Sequence, residues 1–339
     1  MKAVLKRWLP LFLGLQLLAG CSLVDEDMSD CDMQYRLDYT LKLVTNVTTE
    51  LRTELSLATD VAVSSALETY FSEVFGEYAH DVDMSFYDVK DDFVRLHHET
   101  HTMEARESSY TLNIPVHEYI HLAVANAKAN GSVDISDSGY CFSAALRQEV
   151  KDTLDSHTAA LYSARLPMDV RSGVRQEFDV DLFTCHGAEA LVLDTLGSGV
   201  KDVRVFATGF ATDFSIADST YLFRYSPVFR TRKVETGGPS GIQLCYACVN
   251  FPSRVPEDVQ TRAEASSSPA LWEFHVYCTL PDGSITQTRL SVREPVLPGH
   301  VVVAMARVYP NGALEPEDMN VGVSVTLDWH SGMEHEVAL

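Results

Sequence analysis

The sequence predicts a mainly β chain built from β-sandwiches. Apolar and polar residues alternate with period two in repeated short runs. Tyr35, Leu37, Tyr39, Leu41 and Leu43 form one such run, and Val321, Val323, Val325, Leu327 and Trp329 form another. Turn-forming residues separate the runs, as in Pro281-Asp282-Gly283 and Pro310-Asn311-Gly312. The length of 339 residues suits about two domains, each with a sizeable core.

Taken in order, the first run (Tyr35 to Leu43) is a half-buried strand. A different pattern follows Asp60: Val63, Leu67, Tyr70, Phe71 and Val74 share one helical face, and Asp60 is placed to cap the helix. Phe86 to Asp88 and Phe93 to His97 read as strands around a polar turn. Tyr110, Leu112 and Ile114 alternate, and so do Ile120, Leu122 and Val124 after Pro115. Leu146, Val150 and Leu154 suggest a helix over 144–154. The pattern breaks around Pro167 to Gly173, which predicts a domain boundary between residues 168 and 169.

The second half resumes with Phe178, Val180 and Leu182, then Val203 to Ala207 and Tyr221 to Tyr225. Gly237 to Gly241 and Ala263 to Pro269 read as loops. Trp272 to Cys278 and Ser284 to Val292 flank a turn and predict a hairpin. Val301 to Val308 reads as a buried apolar strand, and the run from Val321 closes the chain. Short strands joined by Gly, Pro and Asn turns indicate sandwiches over 34–168 and 169–339.

The N-terminus carries an export signal. Lys2, Lys6 and Arg7 precede an apolar run from Leu9 to Leu18, interrupted only by Gln16, that is too short to span a bilayer. It ends in Leu18-Ala19-Gly20-Cys21, the pattern of a lipobox. Residues 1–20 are then a signal peptide, and Cys21 becomes an acylated N-terminus. Each buried CH₂ of the acyl chains contributes about 0.8 kcal/mol to anchoring. Residues 21–33 are acidic and short of core residues, which fits a solvated tether.

The formal net charge is −22, and removal of three signal-peptide cations makes the rest more acidic still. Such a chain repels phosphate backbones, so nucleic acid is excluded as a partner. It also repels an anionic membrane surface, which leaves anchoring to the lipid. Beyond Cys21 the cysteines are Cys31, Cys141, Cys185, Cys245, Cys248 and Cys278. An even set in an oxidising compartment allows up to three disulfides, with the pairing left open.

One motif argues for an enzyme. His117-Glu118-Tyr119-Ile120-His121 matches HExxH, which on a helix places two histidines on one face to hold zinc and a glutamate as general base. Pro115 and the alternation of Ile120, Leu122 and Val124 favour a strand instead. There the two histidines lie roughly 13 Å apart along the backbone, and no third ligand follows in a recognisable motif. His97, Glu99 and His101 share a strand face that could clip a metal, although a solvated face is the simpler reading. Cys245-Tyr246-Ala247-Cys248 is a lone CxxC in strand-like surroundings, which favours structural disulfides over redox chemistry. Asn46-Val47-Thr48 and Asn130-Gly131-Ser132 match the glycosylation pattern.

Several stretches resemble FimB-type fimbrial anchor subunits of Bacteroidota. They are the lipobox, Asp27-Met28-Ser29-Asp30-Cys31, Asp81 to Asp88, Tyr110-Thr111-Leu112-Asn113-Ile114-Pro115, Tyr119 to Asn126 and the alternating C-terminal run. The chain departs from that family over Asp60 to Val74, where the family is more strand-like. The resemblance implies two tandem transthyretin-like β-sandwich domains, with Tyr110 to Pro115 and Tyr119 to Asn126 as a strand pair of the first. It implies no catalysis and no cofactor. It implies anchorage in the outer membrane through acylated Cys21, with the acidic tether as a mark of cell-surface export. It also implies fimbrial stalk subunits as partners and a role in fimbrial attachment and length. In such a subunit the first strand, Tyr35 to Leu43, stays in place, and the C-terminal strand from Val321 is left to contribute to the partner. The two-sandwich plan also permits a surface adhesin module that binds host glycan or protein, which would need an exposed aromatic cluster.

Overall fold

A computed structural model describes residues 34–45, 61–76, 78–104, 108–136, 144–236, 243–256, 270–317 and 321–326. Cys21, the tether at 21–33, Cys31, Asn46, Asp60, Cys141, Trp329 and the loops expected at 237–241 and 263–269 lie outside the described residues.

The first half contains β1 (Gln34–Val44), α1 (Val61–Val74), β2 (Asp81–Asp88), β3 (Arg95–Thr102), β4 (Ser109–Pro115) and β5 (Glu118–Ala125). Three short strands follow, β6 (Val133–Ser136), β7 (Ala145–Gln148) and β8 (Leu154–Asp155), then β9 (Tyr162–Asp169) and β10 (Glu177–Thr184). The second half contains β11 (Gly187–Asp194), β12 (Asp202–Thr208), β13 (Asp213–Ser215), β14 (Thr220–Leu222), β15 (Val228–Arg230), β16 (Arg232–Val234) and β17 (Gln243–Asn250). It ends with β18 (Trp272–Thr279), β19 (Ile285–Val292), β20 (Val301–Val308), β21 (Leu314–Pro316) and β22 (Val321–Thr326).

The chain is mainly β and forms two sandwiches. The first is a seven-stranded sheet, ordered β3-β2-β5-β9-β10-β1-β4, that folds over on itself. Leu37, Tyr39 and Leu41 of β1 share a core with Val82, Met84 and Phe86 of β2 and with Tyr119 and Ala123 of β5. Tyr39 and His121 meet edge to face across this core. The fold-over falls between β9 and β10, which pair only at Phe183↔Ser163 and Thr184↔Tyr162.

The second sandwich packs β16-β17-β11-β20-β21 against β22-β19-β18-β12-β15-β8. The five-stranded sheet is buried on both faces. Ala188, Ala190 and Val192 of β11 face the first core, while Leu191 and Leu193 face the second. Alternation in a strand sends successive side chains to opposite faces, so one strand serves two cores. α1 presents the five residues that the spacing predicts (Val63, Leu67, Tyr70, Phe71 and Val74), all buried in the first core. A small sheet, β14-β13-β7-β6, covers the outer side of β2 and β5, where Leu146, Phe214 and Ile216 meet Tyr87, Leu122 and Val124.

Two sequence expectations differ from this picture. Residues 144–154 are not a helix: Ala145–Gln148 is a strand paired with β6 and β13, and Val150 is 80% exposed. A strand can satisfy its backbone against two neighbours, and the apolar spacing of Leu146, Val150 and Leu154 does not reflect a buried face. The boundary expected between 168 and 169 falls inside β9, and the first sheet continues through β10 to Thr184. Strands from either side of that point also pair, β7 with β13 and β8 with β15.

Candidate assembly site

The first strand is built into its sheet on both edges. β1 pairs in parallel with β10 from Asp38↔Glu177 to Val44↔Phe183, and antiparallel with β4 from Gln34↔Pro115 to Thr40↔Ser109. Leu37 and Tyr39 are essentially inaccessible. The strand therefore supplies two hydrogen-bond ladders and a row of core side chains, which are the terms an added strand would have to replace. The exposed pair between Arg175 and Asp38, at 2.8 Å, adds little.

At the other end of the chain, β22 pairs with β19 from Val321↔Val292 to Thr326↔Gln287 and lies at the edge of the six-stranded sheet. Among the described residues its outer edge has no ladder partner. Such an edge is a template for another strand.

The HExxH residues do not converge. Glu118 opens β5, is exposed and pairs with Lys90 at 3.3 Å. His117 lies 2.8 Å from Asp88. His121 is fully buried: its Nδ1–H donates to the Ser85 carbonyl at 3.1 Å, and its Nε2 bonds the Tyr39 hydroxyl. The ring stacks on Phe86 at 4.2 Å, and burial lowers its pKa to about 4. His121 is thus a core residue that clasps the first strand. The zinc-site alternative of His117, Glu118 and His121 fails because β5 is a strand and sends the three side chains to separate partners.

His97, Glu99 and His101 do share a half-buried face of β3. The Glu99 carboxylate lies 3.4 Å from His97 Nε2 and 3.1 Å from His101 Nε2. His98 points the other way, to Asp83 at 2.8 Å. Among the described residues no group of three His, Cys, Asp or Glu is arranged to hold a metal.

Cys185, Cys245, Cys248 and Cys278 are buried free thiols, not halves of disulfides. In β17 the CxxC pair points to opposite faces, Cys245 into the first core and Cys248 into the second, so the two sulfurs cannot act together. Asn130 is buried, and its side-chain amide bonds Asn126 and Ala159 carbonyls and accepts from Thr158 N–H. This internal use removes it as a glycosylation acceptor. Asn126, which ends the Leu122 to Asn126 stretch, takes a left-handed φ of 68°. Its side chain accepts from His80 N–H at 2.7 Å and donates to the Ala160 carbonyl at 2.8 Å. Tyr110 to Pro115 and Tyr119 to Asn126 fall on β4 and β5, which are consecutive strands of the first sandwich but not sheet neighbours.

Sequence reasoning missed a buried polar layer in β11 and β17. Asn250 Nδ2 donates to Glu189 Oε1 at 2.8 Å, and burial raises the Glu189 pKa to about 8. Nearby, Leu161 N–H donates to His186 Nδ1, so the His186 proton sits on Nε2 and is donated to His157 Nδ1 at 2.8 Å. The only sequence signal was a glutamate within Gly187 to Asp194, a run otherwise apolar up to its last residue.

Among the described residues, no helix is long and apolar enough to cross a membrane. No family model matches the sequence, and no curated protein matches it. Solved structures do share its fold. One is a candidate polysaccharide-binding protein of Bacteroides thetaiotaomicron, with TM-score 0.50 and 12% identity over 85% of this chain and 97% of the other. Another is a candidate adhesin of the same organism, with TM-score 0.50 and 11% identity over 87% and 99%. The fimbrial anchor protein Mfa2 of Porphyromonas gingivalis aligns with TM-score 0.47 and 9% identity over 87% and 98%.

Proposed function

We propose that this chain is a fimbrial subunit of the anchor type, held in the outer membrane, on the cell-surface side, by acyl chains on Cys21. Its partners are fimbrial stalk subunits. The observation that carries this reading is the state of β1, which is paired on both edges and buried along Leu37, Tyr39 and Leu41. A subunit whose own first strand completes its sheet has no vacant groove there for an incoming strand. It ends a chain of strand-linked subunits rather than extending it, which suits attachment at a base and control of length. The lipobox, the acidic tether and the stretches at 81–88, 110–115 and 119–126 support the same reading from the sequence. The contribution left to the chain is the C-terminal strand at the open edge of the second sandwich.

The test is expression in a fimbriated host of two variants, Cys21→Ala and a truncation lacking residues 321–339. The first is expected to leave the membrane fraction and shed fimbriae into the medium. The second is expected to remain lipidated while fimbriae detach. Membrane retention of the first variant would remove lipid anchoring from the reading. Normal fimbrial attachment by the truncation would remove the C-terminal strand.

A further inference from the structure

We propose that the seam between β9 and β10 receives an extended peptide segment of a partner protein, paired through main-chain hydrogen bonds to both strand edges and carrying basic side chains towards Asp179 and Asp181. This surface is separate from the β1 position and from the β22 edge, and the inference does not rest on the anchor reading.

β9 and β10 each run eight residues, yet their ladder stops after Phe183↔Ser163 and Thr184↔Tyr162. The same register would continue to Met168 opposite Phe178. It does not, because β9 follows β5 in one layer of the folded sheet while β10 follows β1 in the other. At the far end the Gln176 side chain ties the strands together. Its Nε2 donates to the Asp169 carbonyl at 2.8 Å, and its Oε1 accepts from Arg171 N–H at 2.7 Å. A cleft of about 550 Å³ opens along this seam and continues past Thr184 to Phe214, Ile216 and Tyr221 of the small-sheet region and to Pro298. Ala164–Leu166 form one side and Asp179–Asp181 the other. Three residues of strand are about 10 Å of edge. Among the described residues nothing pairs with either edge along this stretch.

Two unpaired strand edges that converge on one cleft are a receptor for a third strand, because its N–H and C=O groups alternate towards both sides. The side chains fix its chemistry. Ala164 and Val180 face the core and make an apolar floor. Asp179 and Asp181 are exposed on the outer face, and Arg165 lines the same cleft from β9. Lys42 reaches Asp181 only at 4.0 Å and leaves Asp179 open to a basic residue. Phe183 is 59% exposed at the closed end and offers an apolar contact. The chain's own residues 22–32 are a poor occupant, since Asp25, Glu26, Asp27, Asp30 and Asp32 would face the two aspartates. A partner segment with alternating small apolar and basic residues satisfies both the edges and the charge.

The test uses the purified full chain in detergent and a fluorescein-labelled octapeptide, Thr-Val-Lys-Val-Thr-Val-Lys-Val, read by fluorescence anisotropy. Two copies of the peptide carry N-methyl groups on alternate residues, which removes the donors on one edge or the other. Saturable binding is expected. It should weaken at least tenfold for both methylated copies, and at least tenfold for the Asp179→Lys, Asp181→Lys double variant. Both aspartates are exposed, so the double variant should keep its thermal midpoint. Absence of binding would overturn the proposal. Equal binding of the methylated copies would also do so, since it would mean side-chain adhesion without strand pairing. Unchanged binding by the double variant would place the peptide elsewhere.

Discussion

The Tyr39 hydroxyl bonds Nε2 of His121 inside the first sandwich, so the first strand is latched to the strand across its core. The Ser85 carbonyl fixes the proton of His121 on Nδ1, which leaves Nε2 as an acceptor for Tyr39. Removing the hydroxyl in Tyr39→Phe keeps the ring and strands a buried acceptor. The expected loss is about 1–3 kcal/mol, seen as a lower urea midpoint at unchanged slope. A midpoint equal to wild type would mean the latch contributes nothing.

Acid should loosen the same region. Burial lowers His121 and His157 to about 4, and His186 is lowered by burial and by the neighbouring His157. In the unfolded chain these histidines titrate near 6.5. Between those values the unfolded state binds protons that the folded state refuses. Stability is therefore present above pH about 6.5 and lost as pH falls towards 4. The urea midpoint is expected to fall steadily across that window, and His121→Gln should give a shallower fall from a lower start. A flat profile would contradict the buried neutral histidines.

Glu189 acts with the opposite sign. Its folded pKa, raised to about 8 by burial, lies above the ordinary 4.5 of a glutamate in the unfolded chain. The folded state holds a proton that the unfolded state releases, so this contribution is present below about 4.5 and lost as pH rises through 8. Glu189 Oε1 accepts from the Asn250 amide, and the Cys248 thiol lies against the same carboxyl. Glu189→Gln keeps an acceptor for Asn250 and cannot ionise. The variant is expected to hold its stability between pH 6.5 and 8.5 where the wild type declines. Equal declines in the two proteins would show that Glu189 is not the titrating group.

The four buried thiols give a chemical check on the packing. Burial raises Cys185 and Cys245 to about 12, raises Cys278 to about 11, and raises Cys248 well above the ordinary range. A thiol neither ionised nor accessible does not alkylate. Mass spectrometry after iodoacetamide should find these four unmodified in the native protein and modified in guanidine, without prior reduction. Modification that requires a reductant would mean that they are disulfide-bonded.

These elements were not equally legible in the sequence. β1, the β18–β19 hairpin and the buried face of α1 each carry a local period, because one face meets a core and the other is more open to solvent. β11 carries none. Its two faces both meet cores, so Ala188 to Leu193 reads as an apolar run with no direction. The small sheet is hidden in the sequence because Leu146 pairs with Phe214 of β13, more than sixty residues away. The seam between β9 and β10 is invisible for a related reason: neither strand's sequence says that the sheet folds over between them. The core role of His121 is hidden by its motif spacing, because its partner Tyr39 lies eighty-two residues earlier.

Gly209 is one of the glycines that let the second sandwich close tightly. Gly209 follows β12 at a φ of +107°, and a Cβ placed there would lie 2.7 Å from the Trp272 Cα and 3.0 Å from the Leu271 carbonyl oxygen. Both neighbours are backbone at the start of β18, so neither can move without disturbing the β12–β18 ladder that begins at Thr208↔Glu273. The close approach seats Phe210 against the Trp272 ring at 5.7 Å and lets the indole N–H reach the Glu294 carbonyl at 2.7 Å. Gly209→Ala adds about 1–3 kcal/mol of backbone strain to a steric clash. The expected result is a large fall in thermal midpoint, with loss of the near-ultraviolet circular dichroism of Trp272. Gly131→Ala, at a position with nothing within 4 Å of the added carbon, is the matched control and should be nearly neutral. If the two variants melted together, the contact between β12 and β18 would not be the constraint that holds this sandwich closed.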